Sequence, residues 1–134
     1  LNGSIFGNMK FHHIGYLTND IHKTSQEFFF LNLKKKKIIK DNKFKTDICF
    51  LEGKNVVIEL VKPHKKNYGL VNLKKEGNIA YHIGCKSNNF NNDFRRLSKK
   101  FKIIVNPTKA IAFKNKRVAF LKKKDGYIIE IIEN

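Results

Sequence analysis

The chain has no tryptophan, one methionine, two prolines and only two cysteines among its 134 residues. Two cysteines are too few for a disulfide scaffold or a zinc knuckle. No apolar run approaches the roughly 18 residues of a membrane span, so no membrane partner is expected. Yet 41% of the residues are hydrophobic, too many for a disordered chain. We therefore expect a folded domain in the reducing cytoplasm, with Cys49 and Cys85 as buried free thiols.

Negative charge is also scarce, with 11 acidic against 28 basic residues and a net charge of +17. Such an excess first suggests a nucleic-acid binder. However, only three of the basic residues are arginine, the side chain suited to bidentate contacts with guanine and phosphate. The remaining 25 lysines accompany many asparagines and isoleucines, a composition typical of AT-rich coding DNA. The sequence therefore predicts no specific nucleic-acid partner.

The first eight residues lack the basic start and the long apolar core of a signal peptide. We interpret residues 1–8 as a remnant of an expression tag or a flexible N-terminus, with Met9 as a candidate native start. Residues 9–134 are expected to form a single domain.

An internal repeat runs through that domain. Residues 11–20 (FHHIGYLTND) resemble residues 80–89 (AYHIGCKSNN), and residues 48–60 (ICFLEGKNVVIEL) resemble residues 118–131 (VAFLKKKDGYIIEI). The histidine and the glutamate of the repeat are 46 residues apart in the first copy and 48 in the second. The order and spacing predict two copies of one module, over about residues 9–63 and 78–134.

Each copy reads as a β-α-β-β-β module. Asp20 is a suitable N-cap for a helix over Ile21–Leu31, and an apolar stripe at helical spacing predicts a second helix over Phe90–Lys100. The sequence thus indicates an α+β fold of two tandem modules. Predicted strands are 11–17, 36–40, 46–52 and 56–61 in the first copy, and 79–86, 102–105, 117–121 and 127–132 in the second.

Four residues of the repeat could carry chemistry, and they are His13, Glu59, His82 and Glu130. Each lies mid-strand in an apolar run, where a carboxylate is costly to bury unless it is paired or bound to a metal. Two imidazoles and two carboxylates from equivalent strands are a suitable ligand set for Zn, Ni, Co, Mn or Fe(II). The alternative is structural, since a lone strand histidine is usually a hydrogen-bonded core or surface residue, and a strand glutamate often faces solvent.

These segments resemble the vicinal oxygen chelate superfamily, which includes glyoxalases and methylmalonyl-CoA epimerases. The resemblance covers about residues 9–133 and is carried by FHHIGYLTNDI, VVIELVKP, AYHIGC, AIAFKNKRVAFL and GYIIEIIE. It is greatest for epimerase-like, single-chain members. It implies that the sheets curl into an open cup around one divalent metal ion, with His13, Glu59, His82 and Glu130 as its ligands.

The implied reaction is removal of a proton next to a carbonyl, with Glu130 as base and Glu59 as its mirror-image counterpart. Epimerisation also requires an acid on the other face of the substrate. Family epimerases are thought to carry that acid on a strand of the first module. Here Asp47 lies nearby, but its register is displaced by one residue, which would put it on the wrong face, and Ile48 falls where the acid is wanted.

The leading functional hypothesis is an epimerase of an anionic, methylmalonyl-CoA-like acyl thioester. A glyoxalase I-type lyase acting on a hemithioacetal uses the same ligands and is the alternative. A non-catalytic small-ligand-binding module of the same fold is the hypothesis from a different class. The resemblance also suggests a homodimer.

Overall fold

The computed structural model describes residues 8–134, so the interpretation of residues 1–7 lies outside the described part of the chain. The chain divides into two compact units, one of residues 13–81 and one of residues 8–12 and 82–134. The boundary after Tyr81 lies near the predicted start of the second module, whereas residues 8–12, expected in the first module, group with the second unit. Strands and helices confirm the predicted α+β class. None of the helices in residues 8–134 is long and apolar enough to cross a membrane.

The elements follow the order of the predicted modules. The first half contains β1 (Lys10–Leu17), α1 (Ile21–Glu27), β2 (Lys34–Lys35), β3 (Ile39–Asp41), β4 (Thr46–Glu52), β5 (Val57–Pro63) and α2 (Tyr68–Lys75). The second half contains β6 (His82–Ser87), α3 (Phe90–Ser98), β7 (Lys102–Ala110), a 3₁₀ turn (Ile111–Phe113), β8 (Lys116–Lys122) and β9 (Ile128–Glu133).

In the first unit the strands are ordered β2-β4-β5-β1, with β3 also paired to β4. Strands β1 and β5 are parallel, whereas β4 and β5 are antiparallel. One face of this sheet packs on α1 through a core cluster of Ile21, Cys49, Leu51, Ile58 and Leu60. Residues of alternate parity point to the opposite face.

The second unit repeats this arrangement, with strand order β6-β9-β8-β7. Its parallel pair is β6 with β9, and β8 with β9 is antiparallel. The core cluster against α3 contains Phe90, Ala119, Leu121 and Ile131. The apolar stripe read from the sequence therefore faces the sheet as predicted.

Both helices begin at a matching polar turn. The Asp20 side chain accepts a hydrogen bond from Lys23 N (3.0 Å), which confirms the predicted N-cap of α1. The hydroxyl of Thr18 accepts from Asp20 N, and in the second unit the hydroxyl of Ser87 accepts from Asn89 N. The duplication thus extends to the turn that ends the first strand of each module.

Several local expectations differ from the structure. Strand β7, expected over 102–105, continues to Ala110 through two shifts in its pairing with β8. Helix α1 ends at Glu27 instead of Leu31, and residues 28–30 form a turn, because Phe28 leaves the helix to pack on Tyr16 (ring centroids 5.2 Å). In place of the strand expected over 36–40, the structure has β2 before it (Lys34–Lys35) and β3 at its end (Ile39–Asp41), because the pairing register on β4 shifts by one residue between them. Helix α2 falls in the segment that we expected only to connect the modules.

Leu60 on β5 is fully buried in the first core cluster. We expect Leu60→Ala to lower the free energy of unfolding by about 3 kcal/mol, because it removes buried methyl groups and leaves a cavity. Urea unfolding followed by circular dichroism measures the change. The control, Ile38→Ala, alters a side chain that is 48% exposed and should change stability by less than about 0.5 kcal/mol. Equal losses in the two variants would contradict this assignment of the core.

Candidate metal-binding pairs

In the first unit, His13 and Glu59 lie on the sheet face opposite α1. Strand register places Glu59 beside Gly15 on one side and beside Phe50 on the other. Residues paired across a sheet point to the same face, so Gly15, Glu59 and Phe50 share it. His13, two residues before Gly15 on the strand, points the same way. Glycine at position 15 has no side chain to compete for the space beside the carboxylate.

The two side chains meet in a buried contact. His13 Nε2 is 3.5 Å from Glu59 Oε1, and the two residues are 0% and 4% exposed. The Phe50 ring packs edge-on against the imidazole, with centroids 6.0 Å apart. An aromatic edge beside the pair excludes water and lowers the local dielectric, which strengthens any charge interaction made there.

The second unit carries the same arrangement. His82 Nε2 is 3.3 Å from Glu130 Oε1, and the residues are 1% and 3% exposed. Glu130 is paired with Gly84 on β6 and with Phe120 on β8. The Phe120 ring again meets the imidazole edge-on, at 5.7 Å between centroids. Each module therefore contains a buried His–Glu pair, with a glycine beside the glutamate on one neighbouring strand and a phenylalanine beside it on the other.

The structure thus brings His13 together with Glu59, and His82 together with Glu130. Buried imidazoles and carboxylates are donors of the kinds that hold metal ions. Sequence reasoning did not single out the two phenylalanines as neighbours of the pairs. The signal was present, because both copies of the repeat contain Phe-Leu on the strand before the glutamate strand.

The structure also decides on which face the uncertain acid lies. Asp47 pairs with Lys62 across the β4–β5 ladder, so it points to the α1 face, away from Glu59. Its carboxylate accepts from His64 Nε2 (2.9 Å). Ile48 shares the face of Glu59.

A further carboxylate on the Glu59 face was missed by the sequence reasoning. Asp41 on β3 is 3% exposed and pairs with Thr46, which lies on that face. Its Oδ1 accepts a hydrogen bond from Phe44 N (3.0 Å) and closes the turn that leads into β4. The role visible in this geometry is to hold the turn.

The two thiols lie on the helix-facing side of their sheets. Cys49 is fully buried, and burial raises the pKa of its thiol. Cys85 is half-buried. Burial raises the pKa of the Cys85 thiol, and the negative charge of Glu130 raises it further. Both cysteines are free, as predicted, although Cys85 is less buried than expected.

The end of β9 is held to β8 by an ion pair between Glu133 and Arg117. Arg117 Nη2 donates to Glu133 Oε2 (3.1 Å), and Arg117 N donates to Oε1 (3.0 Å). These hydrogen bonds hold the pKa of Glu133 below its usual value. The side-chain hydrogen bond from Arg117 has the largest effect, followed by the one from its backbone N–H. The strand that carries Glu130 is therefore fixed at its C-terminal end.

A sequence-family comparison matches residues 12–120 to the glyoxalase/bleomycin resistance protein/dioxygenase superfamily. Together with the duplicated module and its buried His–Glu pairs, the match defines a protein built on the vicinal oxygen chelate plan. The chain belongs to this superfamily. No curated protein sequence matches it.

Solved structures of similar fold include a hypothetical protein from Bacillus halodurans C-125, with a TM-score of 0.81, 22% identity and 96% of each chain covered. Methylmalonyl-CoA epimerase from Mycobacterium tuberculosis has a TM-score of 0.76 and 21% identity, covering 92% of this chain and 87% of that one. A methylmalonyl-CoA epimerase in complex with methylmalonyl-CoA and NH4+ has a TM-score of 0.77 and 16% identity, with 94% of each chain covered. At these identities the likeness concerns the fold.

The ion pair of Glu133 gives a test of the electrostatics next to the site. A lowered folded-state pKa means that the stabilisation is present above the unfolded pKa of about 4.3 and is lost as pH falls through the folded value. Arg117→Gln should raise the pKa of Glu133 toward about 4.3. Carboxyl ¹³C NMR titration measures it, with Lys123→Gln, which removes the partner of Asp125, as the control. An unchanged Glu133 pKa in Arg117→Gln would contradict the assignment.

Proposed function

We propose that His13, Glu59, His82 and Glu130 together hold one divalent metal ion. The observation that carries this proposal is the duplicated pair: each module places an imidazole and a carboxylate, both at least 96% buried, side by side on the same sheet face. Membership of the superfamily supports it, since divalent-metal sites recur there. Cobalt, nickel, zinc, manganese and iron(II) all accept this nitrogen and oxygen donor set.

The donor chemistry fits a cation better than it fits a purely structural core. A buried carboxylate loses its hydration, and a neutral imidazole returns only part of that free energy. Binding a divalent ion to both carboxylates would compensate their charge and use the histidines in their neutral form. The residues present therefore suit the metal that the superfamily implies.

We further propose that the protein is an isomerase that moves a proton next to a carbonyl group. A bound divalent cation would polarise the substrate carbonyl and favour the negative charge that develops there. Glu130 is the base: its carboxylate takes the proton from the α-carbon and holds it on an oxygen. Phe120, which packs against His82, and the buried surroundings of Glu130 limit the water near that carboxylate while the substrate is bound, and the proton exchanges with solvent between turnovers.

Return of the proton to the other face of the carbon needs a second acid, and we assign it to Glu59. Asp47 points to the opposite face of its sheet and is paired with His64. Ile48, on the correct face, has no proton to give. Asp41 is engaged in its turn. Glu59 is thus the carboxylate of the first unit that stands beside a candidate metal ligand, as Glu130 does in the second.

The proposed substrate is an acyl-CoA that resembles methylmalonyl-CoA. Support comes from the similar folds solved as methylmalonyl-CoA epimerases, one of them in complex with methylmalonyl-CoA. The net charge of +17 is suited to an anionic thioester, because a positive surface raises the association rate of such a ligand. The free thiols of Cys49 and Cys85 suit the proposed cytoplasmic location, and a homodimer stays a prediction.

The first prediction from this proposed function concerns the metal. We expect the purified protein to bind about one divalent ion per chain, and a concentration of 100 Kd to stabilise it by about 2.7 kcal/mol. Elemental analysis and thermal unfolding, with and without a chelator, measure both quantities. His82→Ala should reduce the affinity by at least about ten-fold. The control, His64→Ala, alters a histidine on the other side of the first sheet and should leave affinity unchanged. Equal uptake by wild type and His82→Ala would contradict the site.

The second prediction concerns the reaction. In deuterated water, the metal-loaded protein should incorporate label at C2 of methylmalonyl-CoA. Glu130→Gln and Glu59→Gln should each lower the exchange rate by about 10²-fold or more, because each removes one proton-transfer group. Asp47→Asn is the matched control and should retain the wild-type rate.

The outcome separates the alternatives. Conversion of a methylglyoxal hemithioacetal without exchange into any 2-substituted acyl-CoA would replace the epimerase by a glyoxalase I-type lyase. A metal-loaded protein inactive in both assays would be a small-ligand-binding module.

A further inference from the structure

Two phenylalanines protrude from the first unit just after α1. Phe29 is 85% exposed and Phe30 is 67% exposed, and their rings meet edge to face with centroids 6.0 Å apart. Single exposed apolar residues are common on proteins, but two adjacent bare aromatic rings form a patch. Three residues separate them from a run of four lysines, Lys34–Lys37. We name the two rings with this lysine run the Phe–Lys surface.

Local packing keeps both rings outside the core. Phe28 contacts Tyr16 and joins the edge of the first core cluster, so the turn that follows directs the next two residues outward. An open groove of about 290 Å³ lies beside them, with Phe28, Leu31, Leu33 and Leu51 among the residues that line it. The surface therefore offers both protruding rings and a recess lined by apolar and polar side chains.

The charge around the rings is strongly positive. All four lysines of the run are exposed, as are Lys23 and Lys40 nearby in the sequence. Lys35 Nζ lies 3.2 Å from His22 Nδ1, and Lys36 Nζ lies 3.8 Å from Glu52 Oε1. Glu27 is the one acidic residue between positions 21 and 40. A partner for this surface must be anionic and must also accept apolar rings.

Two other occupants fit these observations less well. A second copy of the chain would bring the same lysines into contact, and like charges repel. Single-stranded nucleic acid prefers flat aromatic platforms and arginine. Here the two rings stand at 89° to each other, and the first unit contains no arginine.

We propose that the Phe–Lys surface docks the protein on an anionic lipid bilayer. Phe29 and Phe30 enter the boundary between headgroups and acyl chains, and the lysines lie at the negatively charged headgroups. The expectation of no membrane partner rested on the lack of a spanning run, whereas a surface contact needs none. This proposal is independent of the proposed metal and reaction, because the Phe–Lys surface contains none of those residues.

Sedimentation with vesicles tests it. We expect the full chain to bind vesicles with about 30% phosphatidylserine at low salt and not to bind phosphatidylcholine alone. Raising the ionic strength to about 1 M should release it, because the Debye length falls to about 3 Å. Phe29→Ser with Phe30→Ser, and separately Lys34→Gln with Lys37→Gln, should each weaken binding by about ten-fold.

Matched variants on the second unit serve as controls. Ile104→Ser with Ile111→Ser removes two exposed apolar side chains, and Lys99→Gln with Lys102→Gln removes two exposed charges. Both should bind vesicles within about two-fold of wild type. Circular dichroism checks that each variant is folded.

Three results would overturn the proposal. One is the absence of binding to phosphatidylserine vesicles at low salt, and another is an equal loss of binding in surface and control variants. The third is a protein that does not bind the vesicles but binds single-stranded DNA, with that binding lost in the variant that lacks Phe29 and Phe30. This result would assign the surface to nucleic acid. Loss of metal or of activity in the site variants bears on the proposed function alone.

Discussion

The constraint on which this structure depends is the burial of a carboxylate in the middle of a strand, once in each module. Glu59 and Glu130 are 4% and 3% exposed, in strands that are otherwise apolar. Such a group destabilises the fold unless something nearby compensates its charge. Each module answers with the same set of neighbours: a histidine within 3.5 Å, a glycine that leaves room and a phenylalanine that keeps water away. These neighbours are brought together by the same strand arrangement in both modules: β5 lies between β1 and β4, and β9 lies between β6 and β8.

The alternation of side chains along each strand determines which residues lie on the face of the candidate site. Because side chains alternate between faces, one residue of displacement decides whether a group belongs to the site or to the helix-packed core. Asp47 and Ile48 illustrate this, since the acid faces α1 and the aliphatic residue faces the side of Glu59. The proposed two-base reaction therefore assigns its second acid to Glu59 and not to Asp47.

Much of this was predictable from the sequence, because the duplication supplied an internal alignment. Matching His-Ile-Gly and Ile-Glu segments identified the modules and the four candidate ligands, and the N-cap preference of aspartate identified Asp20. Features without a copy in the other module were missed. Helix α2 has no counterpart in the second half, the division between β2 and β3 is a one-residue shift of register, and the early end of α1 depends on a tertiary contact of Phe28. Local propensity does not encode such contacts.

The lysines of the first unit are mostly exposed to water, whereas its His–Glu pair is buried. Lys35 pairs with Leu51 and so points to the α1 side of its sheet, whereas Glu59 points to the other side. The sheet therefore lies between Lys35 and the carboxylate of Glu59, whereas Lys34, paired with Glu52, lies on the face of Glu59. Exposed ammonium groups are strongly hydrated and cost little to keep in water. The positive surface attracts anions within about a Debye length of the protein, whereas the buried pairs interact only with groups that enter the site.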